Sequence, residues 1–221
     1  YKGILGDFLE MKEFVKRCRE DIVFFAEHVI RSEDGGFYKL EEHQKAMVSS
    51  KKSPVVYFCG RRLGKSFMLA IECIHRALFF KYQRVFVLSP TENQAKELAE
   101  TISGMIERSA LIEQDILTNN VMEKKFKNGS RIVIRTGGGK GSVSSVIGSG
   151  ANLLIIDEIQ DVDDSLIGKI IPVMRGQKGD SKVLIQNYIN DDVIKYIKDV
   201  PGRSIIPALV HYSPKAFANL S

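Results

Sequence analysis

Short apolar runs alternate along the chain with longer segments whose apolar residues recur every three or four positions. Continuous apolar runs of about four to eight residues are typical of strands buried on both faces of a parallel sheet, and the longer period is typical of helices that cover such a sheet. The pattern therefore predicts an α/β domain with a mostly parallel central sheet flanked by helices. Strands are predicted at 54–58, 84–88, 153–156, 182–186 and 204–210.

The segments between these runs predict the helices and one hairpin. Thr91, with Gln94 three positions later, is typical of a capping box and predicts where one helix begins. The dipeptide Asn128-Gly129, between the segments 121–127 and 130–136, predicts a β-hairpin. Helices are predicted at 7–30, 41–50, 65–80, 91–107 and 165–175.

The clearest chemical signal follows the first apolar run, in the segment Cys59-Gly60-Arg61-Arg62-Leu63-Gly64-Lys65-Ser66. A phosphate-binding loop requires Gly, four residues, then Gly-Lys-Ser/Thr, and here a cysteine stands where the first glycine is expected. In such a loop backbone N–H groups converge on phosphate oxygens, the lysine neutralises charge and the hydroxyl ligates Mg²⁺. We therefore expect phosphate contacts from Gly60, Gly64, Lys65 and Ser66, with Ser66 also a metal ligand.

A second signal is the apolar run Leu153–Ile156, which ends in Asp157-Glu158. Ligands bind beyond the carboxyl ends of parallel strands, so these two acids should emerge beside the phosphates. Asp157 is then expected to hold Mg²⁺, directly or through water, and Glu158 to polarise the attacking water. The alternative is that the two acids only cap the segment that follows.

Composition favours a soluble intracellular enzyme domain. The chain has 221 residues, 44% of them hydrophobic and 27% charged, which is enough for one large domain with a full core. No apolar run approaches the ~20 residues that span a membrane. The three cysteines are odd in number and lack paired metal spacing, which favours reduced thiols in a cytosol, and the four scattered histidines predict no zinc site.

The formal net charge of +5 permits an anionic partner. A basic cluster precedes the strand that leads into Asp157-Glu158, called the acidic strand below. The cluster is either a surface for nucleic-acid phosphate or a set of solvated side chains on a hairpin. The glycine-rich segment 137–150, between the cluster and the strand, is expected to be mobile and is either a sensing or contact loop or a plain connection. The cluster consists of Lys124, Lys125, Lys127, Arg131, Arg135 and Lys140.

Together with Leu40-Glu41-Glu42-His43-Gln44, the loop and the acidic pair resemble the ATPase domain of phage terminase large subunits, the DNA-packaging motors of tailed phages. The resemblance covers roughly residues 20–190 and is sharpest at Gly60–Ser66, since an arginine after the first loop residue is frequent in terminases and rare in helicases. It implies a P-loop NTPase of the additional-strand (RecA-like) type. The chain is then a single domain, with an N-terminal helical region at 1–52 that contains the adenine-binding segment and a nucleotide-binding core at 53–221.

The resemblance also implies roles for particular residues. Gln44 is implied as the reader of adenine, because an amide both donates and accepts hydrogen bonds, and the alternative is an exposed helix glutamine. Arg61 is implied to contact phosphate and to take part in catalysis with Lys65 and Glu158. Arg62 either joins the nucleotide-binding loop or pairs with an acid. The coupling motif of the family falls on Gln186-Asn187, where terminases commonly have Ser or Thr.

The function implied is ATP hydrolysis, with ATP and Mg²⁺ bound, that drives double-stranded DNA into a preformed capsid. The implied partners are the portal protein, the small terminase subunit and further copies of the chain in a ring on the capsid, in the host cell cytoplasm. No nuclease domain is expected within this chain. Two other functions remain open: one RecA-like half of a superfamily 1 or 2 helicase, and a nucleotide-dependent switch that binds a partner.

Overall fold

The computed structural model describes residues 2–50, 55–58, 63–137, 150–158, 161 and 182–187, with side chains from residue 9 onward except in 55–58 and 182–187. Seven strands in these ranges form one sheet in the order β1-β7-β6-β2-β5-β4-β3. The predicted helix 165–175 and the predicted strand 204–210 lie outside the described residues. The strands are β1 Val55–Phe58, β2 Arg84–Ser89, β3 Ile116–Asn120, β4 Glu123–Phe126, β5 Arg131–Thr136, β6 Leu153–Ile156 and β7 Lys182–Asn187.

The sheet is parallel from β1 to β5 and antiparallel at its other edge. Every neighbouring pair from β1 through β7, β6 and β2 to β5 runs parallel, whereas β5, β4 and β3 form an antiparallel meander. The prediction of a mostly parallel sheet is therefore confirmed. β7 lies between β1, which leads into the predicted phosphate loop, and β6, which precedes the acidic pair. This inserted strand is the additional strand that the family resemblance implies.

The predicted hairpin is confirmed. β4 and β5 pair around Asn128-Gly129, and Gly129 has a φ of +82°, a conformation that glycine adopts without a steric penalty. The Asn128 Nδ2 group does more than shape the turn: it donates to the backbone oxygens of Ala77 at 2.8 Å and Leu78 at 2.9 Å. These carbonyls belong to the last turn of the helix that starts at the predicted phosphate loop, so the hairpin turn caps that helix.

Most predicted helices are found close to their expected bounds. The observed helices are α1 Lys2–Glu20, α2 Ile22–Val29, α3 Glu42–Ser49, α4 Lys65–Phe79, α5 Glu92–Glu107 and α6 Ala110–Glu113. Thr91 caps α5 as predicted, since its Oγ1 accepts a hydrogen bond from the Gln94 N–H at 3.3 Å. In the described part of the chain, no helix combines the length and the apolar character that crossing a bilayer requires.

The prediction of one helix over 7–30 is wrong. The segment forms α1 and α2, which are separated at Asp21. The Asp21 carboxylate accepts hydrogen bonds from the N–H groups of Val23 and Phe24 at 2.9 and 3.0 Å, so it caps α2 and starts a new helix there. The apolar period continues across this break because both helices pack on the same core, and periodicity alone therefore did not reveal it.

The core lies between the sheet and α4 with α5. Alternate residues of the central strands share one buried cluster with these helices, while all four residues of β6 are buried. Burial of each such side chain stabilises the fold by about 1.5–3 kcal/mol. The packing fixes α4 against one face of the sheet, with its first turn at the carboxyl edge where the predicted site lies. The strand residues in the cluster are Val85, Val87, Ile132, Ile134, Leu153 and Ile155.

Candidate nucleotide site

The predicted phosphate loop joins β1 to α4. Gly64 stands immediately before α4 with a φ of +75°, in the left-handed region that a side chain makes costly. Lys65 and Ser66 follow in the first turn of α4, where backbone N–H groups and the helix dipole favour an anion. Gly60, Arg61 and Arg62 lie outside the described residues, so their expected contacts with phosphate remain predictions.

Gln44 lies directly against this loop. A Cβ atom at residue 64 would lie 2.6 Å from the Gln44 Nε2 atom, so the amide occupies the space that a glycine leaves open. The same Nε2 donates to the Leu63 carbonyl at 3.3 Å, and Oε1 accepts from the Glu41 N–H at 3.0 Å. Gln44 is 6% exposed, so the alternative of an exposed helix glutamine is wrong. One Nε2 hydrogen remains for another acceptor.

Lys65 and Glu158 form an ion pair at the carboxyl edge of the sheet. The Lys65 Nζ lies 3.7 Å from Glu158 Oε1, and the two side chains are 11% and 23% exposed. Glu158 has a φ of +47°, a strained value for a residue with a side chain. The backbone turn that β6 enters at this residue thus aims the carboxylate toward the start of α4.

Asp157 is buried beside this pair. It is 6% exposed, and burial, followed by the neighbouring charge of Glu158, raises the pKa of its carboxyl from 3.8 to about 6, although Lys65 acts in the opposite direction. A buried carboxylate whose charge is incompletely compensated is suited to bind a cation. Its carboxylate and the Ser66 hydroxyl are oxygen groups of the kind that Mg²⁺ prefers, so these residues fit this metal, and their role as its ligands remains a prediction.

Gln186 and Asn187 end β7, and the backbone register places them at the level of the site. Asn187 pairs with Phe58, the last residue before the loop, and Ile185 pairs with Ile156, the last residue before the acids. Gln186 therefore stands one position beyond the pair made by Ile185 and Ile156, level with Asp157. The position is the one expected for a coupling motif, and the role remains a prediction.

The basic cluster was interpreted either as a surface for nucleic acid or as solvated side chains, and one of its lysines fits neither interpretation. Lys124 is fully buried, its Nζ donates to the carbonyls of Asn120 and, at 2.9 Å, Val121, and burial lowers the pKa of its ammonium group to about 8. It closes the turn between β3 and β4 from within. Lys125 is half exposed and lies 3.9 Å from Glu123.

Other members of the basic cluster are also engaged by their own chain. The Lys127 Nζ donates to the Gln114 carbonyl, the Arg135 Nη1 donates to the Ile134 carbonyl at 2.8 Å, and Arg131 lies 4.0 Å from a carboxylate oxygen of Glu123. Lys140 lies outside the described residues. The hairpin therefore uses several of these cations in its own structure, and a continuous basic surface is not evident among the described members.

One residue near the site was given no role of its own from the sequence. Ser89 ends β2 and is fully buried beside Asp157, because the Asp157 N–H donates to the carbonyl of the preceding Leu88 at 2.8 Å. In sequence it is the first residue of a Ser-Pro-Thr segment and shows no chemistry of its own. Only the pairing of β2 with β6 brings it to the acids.

Three features define the class of this protein. A glycine precedes α4 at the end of the loop after β1, Asp157 and Glu158 follow β6, and β7 lies between β1 and β6 in the sheet. This arrangement is that of a P-loop NTPase of the additional-strand type. Residues 56–191 match the sequence profile of the family described as terminase large subunit, T4-like-virus type, N-terminal. This match spans more than half of the 221 residues, and the chain therefore belongs to the terminase large subunit family.

Solved structures agree with this fold. The large terminase of bacteriophage HK97 is 16% identical, with a TM-score of 0.70 over 82% of this chain and 40% of that protein. The ATPase domain of the large terminase of Thermus phage P74-26 is 17% identical, with a TM-score of 0.57 over 77% of this chain and 75% of that one. The chain thus spans about two fifths of the length of the HK97 protein.

The UvsW helicase of bacteriophage T4 has the same fold. It is 13% identical, with a TM-score of 0.55 over 80% of this chain and 64% of the helicase. Shared architecture therefore does not separate a terminase from a helicase half, because both are built on the same sheet. The family match makes that separation.

Proposed function

We propose that this chain hydrolyses ATP as the motor domain of a terminase and so drives double-stranded DNA into a preformed capsid. The observation that carries the proposal is the meeting of Lys65 and Glu158 at 3.7 Å, beside the buried Asp157, at the carboxyl edge of a parallel sheet. Membership of the terminase family supports the motor function over the helicase half. The P74-26 structure, which is described as an ATPase domain, supports the reaction.

The ion pair suggests how ATP activates the site. A bound triphosphate offers Lys65 a more highly charged anion than Glu158, so the lysine turns to the phosphates and releases the carboxylate. Glu158 then orients a water molecule in line with the γ-phosphoryl group and accepts its proton. Mg²⁺, held by Ser66 and Asp157, supplies further neutralisation of phosphate charge when it is bound.

Three further contacts belong to this proposal. Gln44 reads adenine with the amide hydrogen that does not bond Leu63. Arg61, with Arg62 beside it in the loop, contacts phosphate, and the planar guanidinium group suits this task. Gln186 and Asn187 sense the γ-phosphate from the end of β7, which stands between the loop strand and the acidic strand.

The partners proposed follow from the family. They are double-stranded DNA, the portal protein, the small terminase subunit and neighbouring copies of the chain in a ring on the capsid, within the host cytoplasm. No nuclease activity is proposed for residues 1–221.

Two variants test the reaction directly. Lys65→Ala should weaken binding of a non-hydrolysable ATP analogue, because it removes a cation that contacts the nucleotide before reaction, whereas Glu158→Gln should bind the analogue and lose hydrolysis. Lys96→Ala is the matched control, since Lys96 pairs with Glu92 on the exposed surface of α5. Phosphate release that is unchanged in both site variants would exclude the proposed site.

A second measurement separates a motor from a switch. The parental chain is assayed for phosphate release alone, with double-stranded DNA, and with DNA and procapsids that carry the portal. A motor should turn over faster with the assembled shell, and its packaging of DNA should stop in Glu158→Gln. A switch should bind ATP but show neither stimulation nor packaging.

A further inference from the structure

Ser89 ends β2, the neighbour of the acidic strand, and is fully buried. Among the described side chains, its Oγ is the one buried polar atom that has no hydrogen-bond partner. Two other buried serines show what such a hydroxyl ordinarily does. Ser109 Oγ donates to the Val29 carbonyl at 2.8 Å, and Ser130 Oγ donates to the Phe80 carbonyl at 2.6 Å. The Ser89 hydroxyl therefore differs from the other two buried serine hydroxyls, because it makes no hydrogen bond.

The backbone holds Ser89 from both sides. On the β6 side the Asp157 N–H donates to the Leu88 carbonyl at 2.8 Å, which extends the strand pairing to the level of Ser89. On the β5 side the Gly137 N–H donates to the Ser89 carbonyl at 2.7 Å. With its backbone fixed, the hydroxyl can reach new partners only by rotation about one side-chain bond.

The surroundings of Ser89 select Asp157 as that partner. The two residues are neighbours in register at the ends of adjacent parallel strands, and alternation along β2 places Ser89 on the same face of the sheet as Val87, in the core shared with α4. A carboxylate accepts hydrogen bonds only, and its second oxygen must be held when the first takes a cation. A hydroxyl in this position is a suitable donor.

We propose that Ser89 is a positioning residue for the metal site: its hydroxyl donates to the Asp157 carboxylate, itself or through one water, and holds it in the orientation that binds a divalent cation. This inference rests on the proposed function, since it assigns Asp157 to the metal. Ser89 is not a catalytic residue, because it touches Asp157 and not the nucleotide.

The test compares Ser89→Ala with Ser109→Ala and Ser130→Ala in the full chain. Each variant is titrated with Mn²⁺ in the presence of ADP, with bound Mn²⁺ followed by electron paramagnetic resonance, and each is melted without metal. Ser89→Ala should keep or raise Tm, because it removes an unpaired buried hydroxyl, and should weaken Mn²⁺ binding about tenfold. The two control variants should lower Tm and bind Mn²⁺ like the parental chain.

A double variant shows whether the effect passes through Asp157. If Ser89 acts on that carboxylate, Ser89→Ala should weaken Mn²⁺ binding no further in an Asp157→Asn background. Ser89→Cys, which keeps the shape and has a weaker donor, should give an intermediate affinity. Parental affinity in Ser89→Ala, or a lower Tm with unchanged affinity, would overturn the positioning role alone. A parental chain that binds neither ADP nor Mn²⁺ would overturn the proposed function together with it.

Discussion

Lys65 Nζ lies 3.7 Å from the Glu158 carboxylate, so the cation of the phosphate loop and the acid after β6 partly neutralise each other. The pair is largely shielded from water, with 11% and 23% of the side chains exposed, and so interacts more strongly than an ion pair on an open surface. Each partner is needed elsewhere in the proposed reaction. In the proposed reaction, the pair therefore links phosphate binding by the lysine to the availability of the carboxylate.

The first prediction follows from this link. Glu158→Gln should lower the rate of ATP hydrolysis by about 10²–10⁴-fold, because the amide cannot accept the proton of water. Its affinity for a non-hydrolysable analogue should equal or exceed that of the parental chain, since the neutral side chain no longer competes with phosphate for Lys65. Single-turnover kinetics and calorimetry measure the two quantities.

The control for this variant is Glu97→Gln, an exposed position on α5. It should leave both the rate and the affinity unchanged. Hydrolysis near the parental rate in Glu158→Gln would remove the carboxylate from its role as base.

The second prediction concerns Asp157 and pH. The pKa of this group is raised from 3.8 in the unfolded chain to about 6 in the folded one, so the ionised form destabilises the fold. The cost is fully present above pH about 6, shrinks as the pH falls, and is absent below about 3.8. Asp157→Asn should therefore raise the free energy of unfolding by up to about 3 kcal/mol at pH about 8, and the gain should vanish near pH about 4.

Urea unfolding without metal at several pH values measures this difference. Glu100→Gln, at an exposed position of α5, is the control and should show no comparable gain. If Asp157→Asn is less stable than the parental chain at every pH tested, the raised pKa of Asp157 is contradicted. The gain in stability should accompany weaker metal binding, as is common where a site residue is held in an unfavourable environment.

The third prediction separates base recognition by Gln44 from support of the loop. Gln44→Ala should reduce the preference for ATP over GTP more than it reduces turnover at saturating ATP, because the free amide hydrogen is assigned to the base. The quantity to measure is the ratio of kcat/KM for the two nucleotides.

His43→Ala is the matched control for Gln44, because the His43 Nε2 also lies 3.3 Å from the Leu63 carbonyl. It should affect both nucleotides equally. If Gln44→Ala also leaves the ratio unchanged, Gln44 supports the loop and does not read adenine.

The fourth prediction concerns Lys124. Burial lowers the pKa of this group from 10.5 to about 8, so the folded chain binds the Lys124 proton more weakly than the unfolded chain does. The parental chain should gain stability relative to Lys124→Met as the pH rises through about 8 toward 10.5, by about 1–3 kcal/mol. Lys125→Met, at the half-exposed neighbour, should show no such trend when unfolding is compared at pH about 7 and about 10. A constant difference between Lys124→Met and the parental chain would contradict the buried, perturbed state.

The elements predicted best are those whose local pattern decides their structure. β2 and β6 are buried on both faces, so their apolar runs are uninterrupted, and the loop before α4 has chemistry that few other structures require. β3 was not predicted because it is a half-exposed edge strand with a polar end, Thr118-Asn119-Asn120, that resembles a loop. α6 was not predicted because it is a single turn.

Contacts between residues far apart in the sequence were harder to predict than the helices and strands. A lysine such as Lys124 has the same sequence signal whether it is solvated or buried, and only the carbonyls that the β3–β4 turn brings to it decide the outcome. Ser89 becomes a neighbour of Asp157 only when the strands pair, and the strand order could not be obtained from periodicity. The insertion of β7 beside β6 was expected from the family resemblance and not from the apolar pattern.

The capping of α4 by Asn128 has a mechanical consequence. The helix is about 22 Å long, with the phosphate loop at one end and the Asn128 side chain fixed to the carbonyls of the other. Buried side chains hold α4 along its length, and the Asn128 bonds add a tie at the end opposite the predicted phosphate loop. The hairpin turn is thus an anchor for that end of the helix, so a change in the length of the turn should fray the last turn of α4 and lower the stability of the fold.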